Sequence, residues 1–298
     1  MPRIGFFGVD SPESSPLLKA FQEGLRERGY SEGGNIRLEI RSTGDRSGRP
    51  SEIAGELVRL KADVIVAYGS TAAEAASKAT KTIPIVMIAV GDPVRLGLAA
   101  SLRRPGGNMT GVTTLQAELV AKRLQLLKEA VPKASRVAVL VNTANPAHPM
   151  IFKTMEGAAP ALHLTVHLLE ARTRTEIESA FAAMSRERID SLVVLADSLF
   201  VAERARIADL ALKNRLPANF AYMADAEAGG LMAYGPSLPG LFHRAATYVD
   251  RILKGAKPGD LPIEQPTTFE LVVNMKTAKA LGIKFPNEIL VQATKVIE

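Results

Sequence analysis

The sequence predicts an α/β protein built of two lobes, each with a parallel sheet. Three observations carry this. First, buried-strand patterns alternate with helical ones along nearly the whole chain. Second, the strands end abruptly in small polar or acidic residues: Ile4 to Val9 runs into Asp10-Ser11, Val64 to Ala67 into Tyr68-Gly69-Ser70-Thr71, and Ile85 to Val90 into Gly91-Asp92-Pro93. Third, the same rhythm restarts in the second half, where Val137 to Val141 meets Asn142-Thr143 and Leu192 to Ala196 meets Asp197-Ser198, while Phe220 to Met223 stops just short of Asp225. Open α/β sheets bind ligands at the carboxyl ends of their strands, so two such rims predict a cleft.

The elements follow in order. Ile4 to Val9 is continuously apolar, as suits a strand buried on both faces, and Pro16 to Arg28 carries helical spacing at Leu17, Leu18, Phe21 and Leu25 before the stop at Gly29. Asn35 to Arg41 alternates, which predicts a strand nearer a sheet edge; Ser51 to Lys61 is helical. Asp63 to Ala67 and Ile83 to Val90 are strands around a helix at Thr71 to Lys81, for which Thr71 and Glu74 form an expected capping box. A helix over Val94 to Leu102, a turn at Pro105 to Asn108 and a short strand at Met109 to Thr114 complete the first half.

Glu118 to Val131 reads as an amphipathic helix. Strands then fall at 136–141, 164–169, 191–196, 218–223 and near Leu231 to Tyr234, with helices at 147–161, 175–187 and 201–214 between them. Pro239 to Lys254 is a late helix. Phe269 to Val273 is a late strand, followed by a helix capped by Asn274 and stopped at Gly282.

Composition narrows the function. The 298 residues suggest two domains, and 47% hydrophobic content suffices for two cores. Without cysteine there is no disulfide, thiolate metal site or cysteine nucleophile. The net charge of +6 is dispersed among acids, as in Arg26-Glu27-Arg28, and Trp is absent, which argues against nucleic acid as a partner. His163 and His167 read as the solvent face of a strand, lacking a third metal ligand, so no metal and no cofactor is expected. There is no Gly-x-Ser-x-Gly elbow, P-loop or Gly-x-Gly-x-x-Gly, so an enzyme is not the favoured reading.

The candidate ligand contacts are the strand-end residues. In the first half they are Asp10, Ser11 and Ser15 after the first strand, Ser70 and Thr71 at a helix N-terminus suited to an anion, and Asp92, which suits a cation or a cap. In the second half they are Asn145, Asp197, Ser198, Tyr222, Asp225 and Tyr234, the tyrosines offering an apolar wall with a polar tip. His148 is the one histidine near this rim.

Six segments carry a resemblance: Phe21-Gln-Glu-Gly-Leu-Arg-Glu-Arg-Gly-Tyr30, Val86 to Pro93, Arg104-Pro-Gly-Gly-Asn-Met-Thr-Gly-Val112, Ala228-Gly-Gly-Leu-Met-Ala-Tyr-Gly-Pro236, Ile252 to Pro258, and Leu261-Pro-Ile-Glu-Gln-Pro-Thr-Thr-Phe-Glu-Leu-Val-Val-Asn274. Together they resemble the ABC transporter substrate-binding proteins of the tryptophan/tyrosine type. The resemblance implies the type I periplasmic binding protein fold, with two Rossmann-like lobes joined by a three-crossover hinge. It also implies that Pro239 to Lys254 returns to the first lobe and Phe269 to Val273 to the second. The expected lobes are 1–115 with 237–262, and 116–236 with 263–298.

By the same resemblance, a small solute, an amino acid or a related aromatic or carboxylate compound, is captured by hinge closure in the periplasm and delivered to a membrane permease of an ABC importer. The binding protein itself is expected to be a monomer whose leader has been removed. A LacI-like ligand-sensing domain is the alternative, with an enzyme on the same scaffold behind it.

Overall fold

The computed structural model describes residues 1–9, 15–42 and 49–298. The chain divides into two compact units, Met1–Leu115 with Leu238–Thr267, and Gln116–Ser237 with Thr268–Glu298, so the backbone passes between them three times.

The first unit contains β1 (Arg3–Val9), α1 (Pro16–Arg26), β2 (Arg37–Ser42), α2 (Pro50–Arg59), β3 (Val64–Tyr68), α3 (Ser70–Ala79), β4 (Ile85–Val90) and β5 (Met109–Thr113). Its strands form a parallel sheet in the order β2-β1-β3-β4-β5, which places the alternating β2 at an edge. Successive strand residues point to opposite faces, and both faces are covered. Phe7, Ile65 and Met87 join Leu57 and Ala73 in one core. On the other face the ring of Phe6 lies 5.3 Å from that of Phe21 and 6.1 Å from that of Phe242.

The second unit contains α4 (Gln116–Ala130), β6 (Arg136–Val141), α5 (His148–Ala158), β7 (Thr165–Glu170), α6 (Arg174–Arg186), β8 (Ser191–Val194), α7 (Ser198–Ala202), α8 (Arg204–Lys213), β9 (Ala218–Phe220), α9 (Met223–Glu227) and β10 (Met232–Gly235). The chain then supplies α10 (Leu238–Leu253) to the first unit and ends with β11 (Glu270–Asn274), α11 (Met275–Leu281), α12 (Asn287–Gln292) and β12 (Lys295–Ile297). The second sheet has the order β12-β11-β10-β9-β8-β6-β7, parallel except for the antiparallel pair of β10 and β11. One face packs Phe181, Met184, Ile207 and Phe220, the other Leu126, Met232, Phe285 and Ile289.

α10 lies along α1. The contact explains Gly24 in the middle of α1: a Cβ there would sit 2.6 Å from the carbonyl oxygen of His243 and 2.8 Å from the Cβ of Ala246. A glycine that weakens an isolated helix is thus required by close helix packing. Asn274 caps α11 by accepting from the amide of Thr277, and Gly282 ends it at φ 73°.

Several expectations are corrected. Val94 to Leu102 forms turns rather than a helix: Asp92 caps a first turn by accepting from the Arg95 amide, but Gly97 takes φ 69° and the Leu98 amide folds back onto the Pro93 carbonyl at 2.8 Å, which ends it. The expected helix over 201–214 is broken into α7 and α8 at Glu203. The strand over 218–223 stops at Phe220, since Tyr222 begins the short α9. Thr71 does not head its helix: α3 starts at Ser70 after Gly69 at φ 85°, and the Glu74 carboxylate pairs with Lys78 instead of closing a capping box. His163 lies before β7 in a left-handed turn, and His167 is partly buried rather than facing solvent, with a buried Nε2. α12 and β12 were not legible in the sequence pattern.

Candidate functional site

Each unit has its own polar rim at the carboxyl ends of its parallel strands. In the first unit the rim is shaped by backbone. β1 and β4 both slip register near their ends, at Gly8 (φ 110°) and at Ala89 (φ 57°). Such bulges re-aim the last residues of a strand. Gly8 is irreplaceable on two counts: its φ is in the region that favours glycine, and a Cβ would lie 2.5 Å from the carbonyl oxygen of Tyr68.

Ser70 and Asp92, which follow neighbouring strands, are brought together here, for the Gly91 amide donates to Ser70 Oγ at 3.2 Å. Ser70 is buried, and the adjoining first turn of α3 has no side-chain cap bond from Gly69. Asp92 is engaged with its own turn: Oδ1 accepts from the Arg95 amide at 3.0 Å and Oδ2 lies 3.6 Å from Arg95 Nε. Ser15 is the N-cap of α1, accepting from the Leu18 amide at 3.4 Å. Asp10 and Ser11 lie outside the described residues.

In the second unit the rim is shaped by side chains. Adjacent strands β6 and β8 deliver Asn142, Asn145 and Asp197 to one buried cluster. Asp197 Oδ1 accepts from Asn142 Nδ2 at 2.9 Å and from the Leu199 amide at 3.0 Å; Oδ2 accepts from Asn145 Nδ2 at 2.8 Å. The two asparagine oxygens are used in turn by the amides of Ala144 and Ala147. Asp197 therefore caps α7 and clamps the loop after β6, leaving Ser198 at the start of α7 half-buried.

His148 completes this cluster. Its Nδ1 accepts from the Asn142 amide at 2.9 Å, which puts the proton on Nε2, 3.2 Å from the Ala196 carbonyl. Burial lowers its pKa, so the ring is neutral at physiological pH, with Phe200 stacked beside it.

The neighbouring strands β9 and β10 deliver Tyr222, Asp225 and Tyr234. Tyr222 is buried, with its hydroxyl pKa raised by burial, and its side chain hydrogen-bonds Gln116. Asp225 Oδ2 accepts from the Tyr222 amide at 3.0 Å, whereas Oδ1 is buried without a partner. Burial pushes the Asp225 carboxyl up to about 7, against the pull of the Tyr222 amide, Arg204, Arg123 and the Ala221 amide. Tyr234 is half-buried, its ring 6.1 Å from that of Phe269. The two clusters adjoin, since Asp197 acts electrostatically on the Tyr222 hydroxyl.

Sequence reasoning missed Arg123, Asn219 and Gln116 here. Arg123 is only 1% exposed, and burial pulls its pKa down to about 10, partly offset by Tyr222, Asp225 and Tyr234; the guanidinium stays charged at neutral pH. A signal existed. Arg123 falls on the apolar stripe of α4, between Leu119 and Leu127 at steps of four, where a charge has no ordinary place.

Two α/β units with these sheet orders, joined by three passes of the chain, define a type I periplasmic binding protein fold. A leucine-binding protein from Thermotoga maritima shares it at 13% identity and a TM-score of 0.61, covering 85% of this chain and 83% of that one. The chain belongs to the ABC transporter substrate binding protein family, whose model matches residues 8–297. It is 30% identical over 276 residues to a tyrosine-binding protein of Clostridioides difficile, covering 93% of this chain and 79% of that protein. It is also similar to the ABC domain of Streptococcus pneumoniae solved in complex with L-Trp, at 26% identity and a TM-score of 0.90 over 99% of both chains.

Proposed function

We propose that this protein is the extracytoplasmic solute receptor of an ABC importer and that its solute is an aromatic L-amino acid. It captures the solute by closure of its two lobes about the three connecting segments and hands it to a membrane permease. No covalent step is involved, and the receptor works as a monomer.

The observation that carries the reading is the second unit's rim. A buried, fully bonded Asn142–Asp197–Asn145 cluster adjoins the buried Tyr222, and the next strand end carries the half-buried Tyr234, giving a rigid polar edge on a rim that also bears aromatic side chains. Preorganised groups of this kind lower the ordering cost of binding. The tyrosine-binding relative and the neighbour solved with L-Trp support the ligand class. Because both oxygens of Asp197 are already used internally, its part is to hold the rim. The solute's carboxylate is assigned to the Ser70–Thr71 turn of the first unit, whose amides and helix dipole favour an anion.

Calorimetric titration with L-tryptophan, L-tyrosine and L-phenylalanine tests this, alongside tryptamine, which lacks the carboxylate, and indole-3-propionate, which lacks the amine. At least one of the three amino acids is expected to bind, and each truncated analogue to bind at least about tenfold more weakly than L-tryptophan, the price of about 1.4 kcal/mol per lost group. Equal binding of indole-3-propionate and L-tryptophan would remove the amino-acid reading. Failure of all three amino acids would remove the aromatic class.

A further inference from the structure

Arg123 performs a task that its burial alone does not explain. Among the described residues no carboxylate oxygen lies within 4.0 Å of its guanidinium, although burying a cation without a close partner costs several kcal/mol. What the guanidinium does hold is backbone and an amide. Nε donates to the Tyr234 carbonyl at 2.8 Å, and Nη1 donates to Gln116 Oε1 at 3.2 Å.

Both partners stand at places of consequence. Gln116 is the first residue of the second unit, directly after Leu115, a non-glycine residue at φ 53°. Tyr234 and Gly235 end β10, three residues before the chain re-enters the first unit at Leu238. Gly235 serves the same arrangement, since a Cβ there would collide with the Ala221 carbonyl and lie 3.2 Å from Arg123 Nη2. The Arg123 carbonyl in turn accepts from Asn219 Nδ2 at 3.0 Å, anchoring α4 to β9. The titratable groups facing the guanidinium are the Asp225 carboxyl and the neutral hydroxyls of Tyr222 and Tyr234.

We infer that Arg123 is a positioning residue for solute capture: it ties the roots of the first and second connecting segments to one another, so that they move as one body when the lobes close. This rests on the closure proposed above. A planar, forked guanidinium suits the task because it holds two acceptors at fixed directions, which an ammonium does not.

The chain has no cysteine, so spin labels can be placed on Lys19→Cys and Arg186→Cys, two exposed positions in different units. Inter-label distances are measured by pulsed dipolar spectroscopy without solute, in the otherwise unchanged protein and with Gln116→Ala, Arg123→Gln or Arg123→Lys added. Met184→Ala, on the buried face of α6, serves as a control for mere destabilisation.

Gln116→Ala and both Arg123 variants are expected to broaden the distance distribution while keeping native circular dichroism, and the control is not. Their affinity for whichever aromatic amino acid binds should fall about tenfold, the cost of a competent state made that much rarer. An unchanged distribution in Gln116→Ala and Arg123→Lys, or equal broadening in the control, would overturn the inference. If no amino acid binds the unchanged protein, the ligand reading fails, and the solute-free distances still decide the role of Arg123.

Discussion

The two units solve the same problem in different ways. Each must end several parallel strands at a polar rim without leaving backbone groups unpaired. The first unit does it with backbone conformation, through the bulges at Gly8 and Ala89 and the sharp entry to α3 at Gly69. The second does it with buried side chains, through Asp197 and its two asparagines, His148, Asp225 and Arg123. A rim of the first kind is sensitive to added atoms. One of the second kind is sensitive to lost hydrogen bonds and to protons.

The largest effect expected from this difference is at Asp197. Asp197→Ala removes one acceptor from the Leu199 amide and strands the amides of two buried asparagines, for a loss of about 4 kcal/mol in denaturant unfolding. A loss under about 1 kcal/mol would mean that the second rim does not depend on its cluster. Next, Gly8→Val meets both a forbidden φ and the Tyr68 carbonyl, and should cost about 3 kcal/mol by the same measurement. If Gly8→Val is tolerated, the first rim is not held by its backbone.

Protons give a smaller effect. The folded Asp225 carboxyl titrates at about 7, well above the value of about 3.9 for an unfolded chain. Its contribution to stability is therefore complete below pH 4 and is lost as the pH rises to 7, because the unfolded chain ionises first; above pH 7 the loss is constant. With relaxation of the site the span is on the order of 2 kcal/mol. Thermal unfolding from pH 4 to 8 should show this fall, and Asp225→Asn should remove that component of it. The smallest effect is assigned to Ser70→Ala, which deletes a single 3.2 Å bond to the Gly91 amide and should cost about 1 kcal/mol. A cost equal to that of Asp197→Ala would erase the contrast between the rims.

Legibility in the sequence followed the same division. Buried parallel strands announce themselves as apolar runs, so β1, β3, β4, β6 and β8 could be read directly. Late elements such as α11 were legible because Asn274 and Gly282 mark its ends chemically. By contrast, Val94 to Leu102 has helical spacing, yet Gly97 takes φ 69° and the Leu98 amide bonds the Pro93 carbonyl, so the chain turns away after a single capped turn. Strand-end residues were legible as candidates but not as partners. Asp197 read as a candidate ligand contact because the asparagines that engage it are 52 and 55 residues away.

The sequence by itself determined the α/β class, the alternation of elements and the polar character of both rims, since these depend on local periodicity and on residue types at strand ends. Only the tertiary structure decided which polar groups are spent on one another. Asp197 is consumed by Asn142 and Asn145, Ser70 by Gly91, and Arg123 by Gln116 and Tyr234. The physical reason is that a hydrogen bond depends on separation in space, and sheet order brings together side chains that the chain itself keeps far apart.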